Sequence, residues 1–219
     1  MPVINDDIFD ALNIGIEKES LRVLNNEISQ ISHNEELFGS ALTNQFITTD
    51  FSESQMEFVT PPLKTNSEAL NFLESIHLNV SKKIDEEILW PLSMPPFIDC
   101  DTDIPIAYYG ESEVAMLKRV YRLGLSNRYG RQMQAISGIH YNFSIDDKML
   151  RCLSSDDSLI DRDLRDSLYL GAIRNIARLN WLILYLFGAS PFVSKSILEK
   201  ENKNLKQLDN QTYYLPYAT

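Results

Sequence analysis

The chain has 219 residues, of which 44% are hydrophobic and 23% charged, so it carries enough apolar side chain to bury a sizeable core. Its formal net charge is -11, which excludes a general attraction to phosphate backbones and with it nucleic acid as an expected partner. The only cysteines are Cys100 and Cys152, without the paired spacing of a disulfide framework or a zinc site, and a reducing cytoplasm fits that usage.

The first residues, MPVINDD, lack the basic-then-apolar order of a leader. Residues 6–13 read as a short helix leading into a strand over 14–23. In an extended chain, side chains two apart share a face. Glu17 and Glu19 therefore stand on one side with Leu21 and Val23, while Ile16, Lys18, Ser20 and Arg22 stand on the other. The two carboxylates lie roughly 6–7 Å apart along such a strand. They repel one another unless a cation lies between them; the alternative is an exposed strand with a solvated acidic face.

Asn25 and Asn26 mark a turn, with 27–31 returning as a hairpin. Residues 32–45 read as loop. Strands are expected over 46–50 and 55–60, the second stopped by Pro61 and Pro62. A helix should be capped by Asn66 or Ser67, carry Leu70, Leu73, Ile76, Val80, Ile84 and Ile88 on one stripe, and end at Trp90 before Pro91. A proline-stiffened loop over 91–111 and a helix over 114–126 follow. Residues 132–144 alternate as one long strand, with Gln134, His140 and Asn142 on a polar face. A long helix is expected over 157–187, stopped by Gly188 and Pro191. Residues 195–211 read as polar surface and 213–219 as strand-like. The longest apolar run, 179–189, is too short to span a bilayer, so no membrane is expected as partner. This order of elements argues for a single α+β domain over 1–219 built on an antiparallel sheet.

The acidic residues Glu17, Glu19, Asp50 and Glu57 all fall on predicted strands or their ends. Joined by Gln134, His140 and Asn142, they would form an oxygen-rich face suited to magnesium. Magnesium completes its shell with water and substrate phosphate, so several carboxylates suit two or three ions under a nucleotide tail. The blander alternatives are a hydrogen-bonded structural His140 and an Asx turn at Asp50. Tyr108, Tyr109, Tyr121 and Tyr129 could line a pocket or simply be core. No phosphate loop of the GxxxxGK or GxGxxG type, no GxSxG elbow and no reactive-cysteine setting is present.

Eight blocks in order carry a wider resemblance. They include GIEKESLRV (15–23), GSALT (39–43), ITTDFSE (47–53) with MEFVTP (56–61), WPLSMP (90–95), NRYG (127–130), SGIHYNFS (137–144), YLFGASP (185–191) and YYLPYAT (213–219). In these the chain resembles the proteobacterial glutamate-cysteine ligases across nearly its whole length. The resemblance implies a curved, glutamine-synthetase-like antiparallel sheet packed by helices. It also implies ligation of the γ-carboxylate of L-glutamate to the amine of L-cysteine with ATP, through a γ-glutamyl phosphate, as the first step of glutathione synthesis. By position, Glu17, Glu19, Asp50, Glu57 and His140 look like the Mg2+-binding set. Tyr121 looks like a wall of the cysteine pocket, joined by one of Tyr213, Tyr214 or Tyr217, with Tyr214 chosen here. A basic side chain is expected near the phosphates. Members of this family are more than twice as long, and the last block normally continues through Ser-Leu-Arg. The implied alternative is therefore a truncated, non-catalytic piece that needs a complementary C-terminal chain as partner.

Overall fold

The computed structural model describes residues 11–153, 162–188, 190–198 and 204–216. Its organising element is the 13-residue strand β1 (Leu12–Leu24). Asn25 and Asn26 both adopt positive φ, 53° and 67°, as a tight primed hairpin turn requires, and return the chain into β2 (Glu27–Ile28). After the short helix α1 (Glu35–Phe38), capped by Asn34, come β3 (Ile47–Thr49) and β4 (Gln55–Val59). Helix α2 (Asn66–Ser81) precedes the two-residue strand β5 (Ile88–Leu89). Helices α3 (Glu113–Tyr129) and α4 (Arg131–Gln134) lead to β6 (Ile139–Ile145). Then follow α5 (Asp147–Leu153) and α6 (Arg162–Phe187). Strands β7 (Phe192–Ser194), β8 (Lys206–Gln207) and β9 (Thr212–Tyr214) form a separate small antiparallel sheet.

Glu17 and Lys18 pair with β4 and also with β6, so β1 runs through the middle of the main sheet, with β4 and then β3 on one side and β6 on the other. Every pairing is antiparallel, and with the helices this makes the expected α+β fold. The core changes sides along β1. Toward its start, Ile14 and Ile16 join Met56 and Phe58 of β4 against Ala69, Leu73, Ile76 and Val80 of α2. Toward its end, Leu21 and Val23, on the opposite face, pack with Ile28, Phe51, Ile98, Ile104 and Ala135. Full burial of a side chain such as Phe58 contributes about 1.5–3 kcal/mol. The face carrying Glu17 and Glu19 is thus only partly covered just short of the second cluster.

Several boundaries differ from the sequence reading. Leu12 and Asn13 pair with Ile145 and Ser144 as strand; residues 6–10 of the expected helix lie outside the described residues. Thr65, rather than Asn66 or Ser67, caps α2, through a reciprocal bond pair with Glu68. That helix stops at Ser81, nine residues short of Trp90, because Ile88 and Leu89 gain ladder bonds from Val23 and Arg22, and Asp85 at φ 44° turns the chain between them. Ile84 stays in the core without the helix, which is why the apolar stripe reads on too far. The expected strand over 132–144 starts only at Ile139. Its first part is α4, with Ala135 buried as the C-cap, so Gln134 is not on the polar face. The hairpin return shortens to β2, α1 interrupts the expected loop, and α6 is described from Arg162.

From Ile173 to Phe187 every residue of α6 is exposed, including Ile176, Leu179, Trp181 and Phe187. Its last two turns, residues 181–187, carry apolar and aromatic side chains all round, and such a surface belongs in an interior. Strand β6 is likewise bare: among the described residues it pairs with β1 alone, and Ile139 and Tyr141 are 65% and 55% exposed. Among the described residues no helix is long and apolar enough to cross a membrane.

Candidate functional site

Register decides what meets on the acidic face. Glu19 of β1 lies directly opposite Glu57 of β4, and Glu17 lies directly opposite His140 of β6. Directly opposed side chains have Cβ atoms about 4.5–5.5 Å apart, where like charges destabilise a sheet. The strand assignment of Glu17, Glu19, Glu57, His140 and Asn142 thereby becomes one three-strand patch.

Each member except Glu57 has a polar partner nearby. The Glu17 carboxylate accepts from Asn142 Nδ2 at 2.7 Å and faces His140 Nδ1 at 3.2 Å. Glu19 Oε2 accepts the Gly138 backbone N–H at 2.8 Å. A Cβ on Gly138 would meet the His140 ring at 3.4 Å, in van der Waals contact. Burial raises the Glu19 pKa; the Gly138 bond opposes the rise and Asp50 adds to it. Glu57 accepts no hydrogen bond among the described residues. Burial first, then the charges of Asp50, Glu17 and Glu19, push its pKa up to about 7, against a smaller opposing pull from His140.

Asp50 enters from the turn after β3. Its backbone is held at three points: its N–H donates to Gln55 O, and its carbonyl accepts from Tyr109 Oη at 3.1 Å and Arg122 Nε at 2.5 Å. No Asx-turn bond from its carboxylate is found among the described residues. Arg122 also lies over the Tyr109 ring, 4.7 Å from the centroid, with Lys118 4.8 Å from the same ring. Arg122 and Gln55 were not singled out from sequence. For Arg122 the available signal was a Lys118/Arg122 pair at helical i,i+4 spacing in an acidic chain; for Gln55 there was none.

Tyr121 precedes Arg122 on α3 and is 63% exposed, and Tyr214 lies in β9 of the small sheet. No hydrogen bond or ring contact joins either tyrosine to the acidic face among the described residues. Tyr217 lies outside the described residues. A groove of about 340 Å³ runs from Asn13 past Gly15 to Glu17, walled by Val59, Thr60 and Asn142.

Among the described residues no group of three or more His, Cys, Asp or Glu side chains is gathered closely enough to hold a metal ion as it stands. Carboxylates that repel across strands and turn to other donors, as Glu17 does to Asn142 and Glu19 to Gly138, give that result. The donor chemistry nevertheless fits a hard divalent cation. All but one of the donors are carboxylate oxygens, and Glu57, through burial first and the neighbouring carboxylates second, keeps its proton up to about pH 7.

Residues 4–219 match the profile of the family described as Glutamate-cysteine ligase. A glutamate-cysteine ligase of Pseudomonas fluorescens Pf-5 is 49% identical over 208 residues, covering 94% of this chain and 39% of its own length. The one from Pseudomonas entomophila L48 is 48% identical over 218 residues, covering 98% and 41%. The crystal structure of the Francisella tularensis glutamate-cysteine ligase in complex with AMP superposes with a TM-score of 0.85 at 36% identity, over 94% of this chain and 41% of that one. The chain thus spans about two fifths of the length of these relatives.

Proposed function

The chain belongs to the glutamate-cysteine ligase family, and we propose that its acidic sheet face forms part of a site that joins the γ-carboxylate of L-glutamate to the amine of L-cysteine using ATP, with Glu17, Glu19, Asp50, Glu57 and His140 holding Mg2+. The observation that carries this reading is the part-buried position of Glu57 with Asp50, Glu17 and Glu19 gathered around it, where burial first and those charges second raise its pKa to about 7. When bound, the cation supplies the positive charge that lets triphosphate and carboxylate approach and that offsets charge on the transferring oxygens.

The chain's own residues do the rest. Asn142 and His140 hold the Glu17 carboxylate toward β6, and Gly138 holds Glu19. Arg122 and Tyr109 fix the backbone of Asp50, and Arg122 is the basic side chain assigned to the phosphate side. The groove past Gly15 opens beside Glu17 and is the approach assigned to the nucleotide. Tyr121 and Tyr214 are assigned to the cysteine pocket. In this reaction class the γ-phosphoryl group passes to the glutamate γ-carboxylate, and the cysteine amine then displaces phosphate.

The exposed helix α6 favours a second reading, in which this chain is inactive alone and needs a complementary C-terminal polypeptide to cover that face. One experiment tests both. The purified chain is assayed for ATP- and Mg2+-dependent γ-glutamylcysteine, alone and with the remaining three fifths of a relative supplied separately. Product that appears only with the second polypeptide and vanishes in Glu57→Ala supports both readings. Product from the chain alone overturns the second, and product undiminished in Glu57→Ala overturns the site assignment.

A further inference from the structure

Resting on the reading of the acidic face just given, we infer that Gln55 is a positioning residue for Glu19, a role that keeps a poorly satisfied amide in the sheet where an apolar side chain would be more stable. Gln55 is fully buried, at 0% exposure, and stands directly opposite Leu21 on β1, one cross-strand pair away from Glu19 and Glu57. Its Nε2 reaches Glu19 Oε2 and Ser137 Oγ, each at 3.4 Å, and the Ile136 carbonyl at 3.5 Å. Its Oε1 is buried with no donor among the described residues. Turning the amide over would let the oxygen accept only from the Ser137 hydroxyl and would set it against the Glu19 carboxylate and the Ile136 carbonyl, neither of which can donate.

A buried acceptor without a partner destabilises the fold, whereas an apolar group of the same shape does not. A core site that breaks this rule is expected where function requires it. The requirement here is the orientation of Glu19. Its Oε2 is tied by the Gly138 N–H and by Gln55, leaving Oε1 uncommitted. The Gly138 bond alone is a single tether about which the carboxylate can swing away from Glu57, the like charge directly opposite. The Gln55 amide is the second point that stops this rotation. Groups one shell outside metal-binding carboxylates commonly alter metal affinity about 10–100-fold when removed.

The test uses the 219-residue chain with Mn2+ as an oxygen-seeking probe, counted by electron paramagnetic resonance of the free ion, and thermal unfolding without metal. Gln55→Met, with Gln55→Leu as a second apolar variant, is expected to keep or raise the midpoint of unfolding while Mn2+ affinity falls about tenfold. A lower midpoint with unchanged affinity, or loss of the fold in both variants, overturns the inference and leaves Gln55 a packing residue. Glu19→Gln separates the two levels of the claim. If Glu19→Gln weakens Mn2+ binding and Gln55→Met does not, the positioning role fails alone. If Glu19→Gln leaves binding unchanged, the acidic-face reading fails and this inference fails with it.

Discussion

Replacing Glu87 by leucine should be among the most damaging single changes outside the apolar core. Arg22 and Glu87 form an ion pair whose side chains are only 3% and 7% exposed, and Arg22 Nη1 lies 2.9 Å from both carboxylate oxygens. The second guanidinium nitrogen donates to the carbonyls of Ile31 and Glu53, so this one cation ties β1 to the loop after β2, to the turn before β4 and to the approach to β5. Leucine at 87 removes the only anion paired with Arg22 among the described residues and leaves the guanidinium buried. Breaking a buried pair from one side costs about 3–5 kcal/mol, most of it the stranded charge. At about 2–4 °C per kcal/mol for a chain of this size, the midpoint should fall by roughly 6–20 °C. Thermal unfolding followed by circular dichroism reads this directly. Two further variants sharpen the argument: Arg22→Met with Glu87→Leu should recover most of the loss, because no charge is left buried. Asp147→Ala, which breaks the exposed pair with Arg165, should cost no more than about 1 kcal/mol. A loss for Glu87→Leu as small as that for Asp147→Ala would refute the stranded-charge reasoning.

Glu57 sets a pH dependence of definite sign. Its pKa is about 7 in the folded chain against an ordinary value of 4.5, so the folded state binds the extra proton and stability declines as pH rises from 4.5 to 7. Glu57→Gln should therefore stabilise the metal-free chain at pH 8 by about 1–3 kcal/mol and change little at pH 4, as urea titrations at the two pH values would show; no gain at pH 8 would contradict it. His77, with a pKa lowered to about 4 by burial and then by Lys18, should show an NMR titration midpoint well below its ordinary 6.5, and a midpoint near 6.5 would refute that setting. Thr65→Ala removes the hydroxyl that caps α2 and should lower stability by about 1 kcal/mol in denaturant titrations. Glutamate at Ile176, Leu179 and Ile183, all exposed on α6, should reduce binding of a hydrophobic dye without lowering the unfolding midpoint; a large fall in the midpoint would mean those side chains are packed.

What the sequence determined by itself was local. Side chains alternate along any extended chain, so Glu17 and Glu19 could be placed on one face of a strand before any partner was known. The start of α2 could be placed to within one or two residues, because a cap and an apolar stripe are read within one turn of helix. The blocks shared with the ligase family located Asp50, Glu57 and His140 as well. The tertiary structure decided everything that depends on which strand lies beside which. Glu57 faces Glu19, and His140 faces Glu17, only through the registers of β4 and β6 on β1. The stripe of α2 was read past Ser81 because nothing near Ile88 announces that β1 will pair with it. Gln55 and Arg122 escaped notice for the same reason, since the groups they hold, Glu19 and the carbonyl of Asp50, lie 36 and 72 positions away in the chain. Periodicity is a property of neighbouring residues, whereas register, burial and the repulsion gathered on the acidic face arise between distant segments, and those are what turn separate carboxylates into a candidate site.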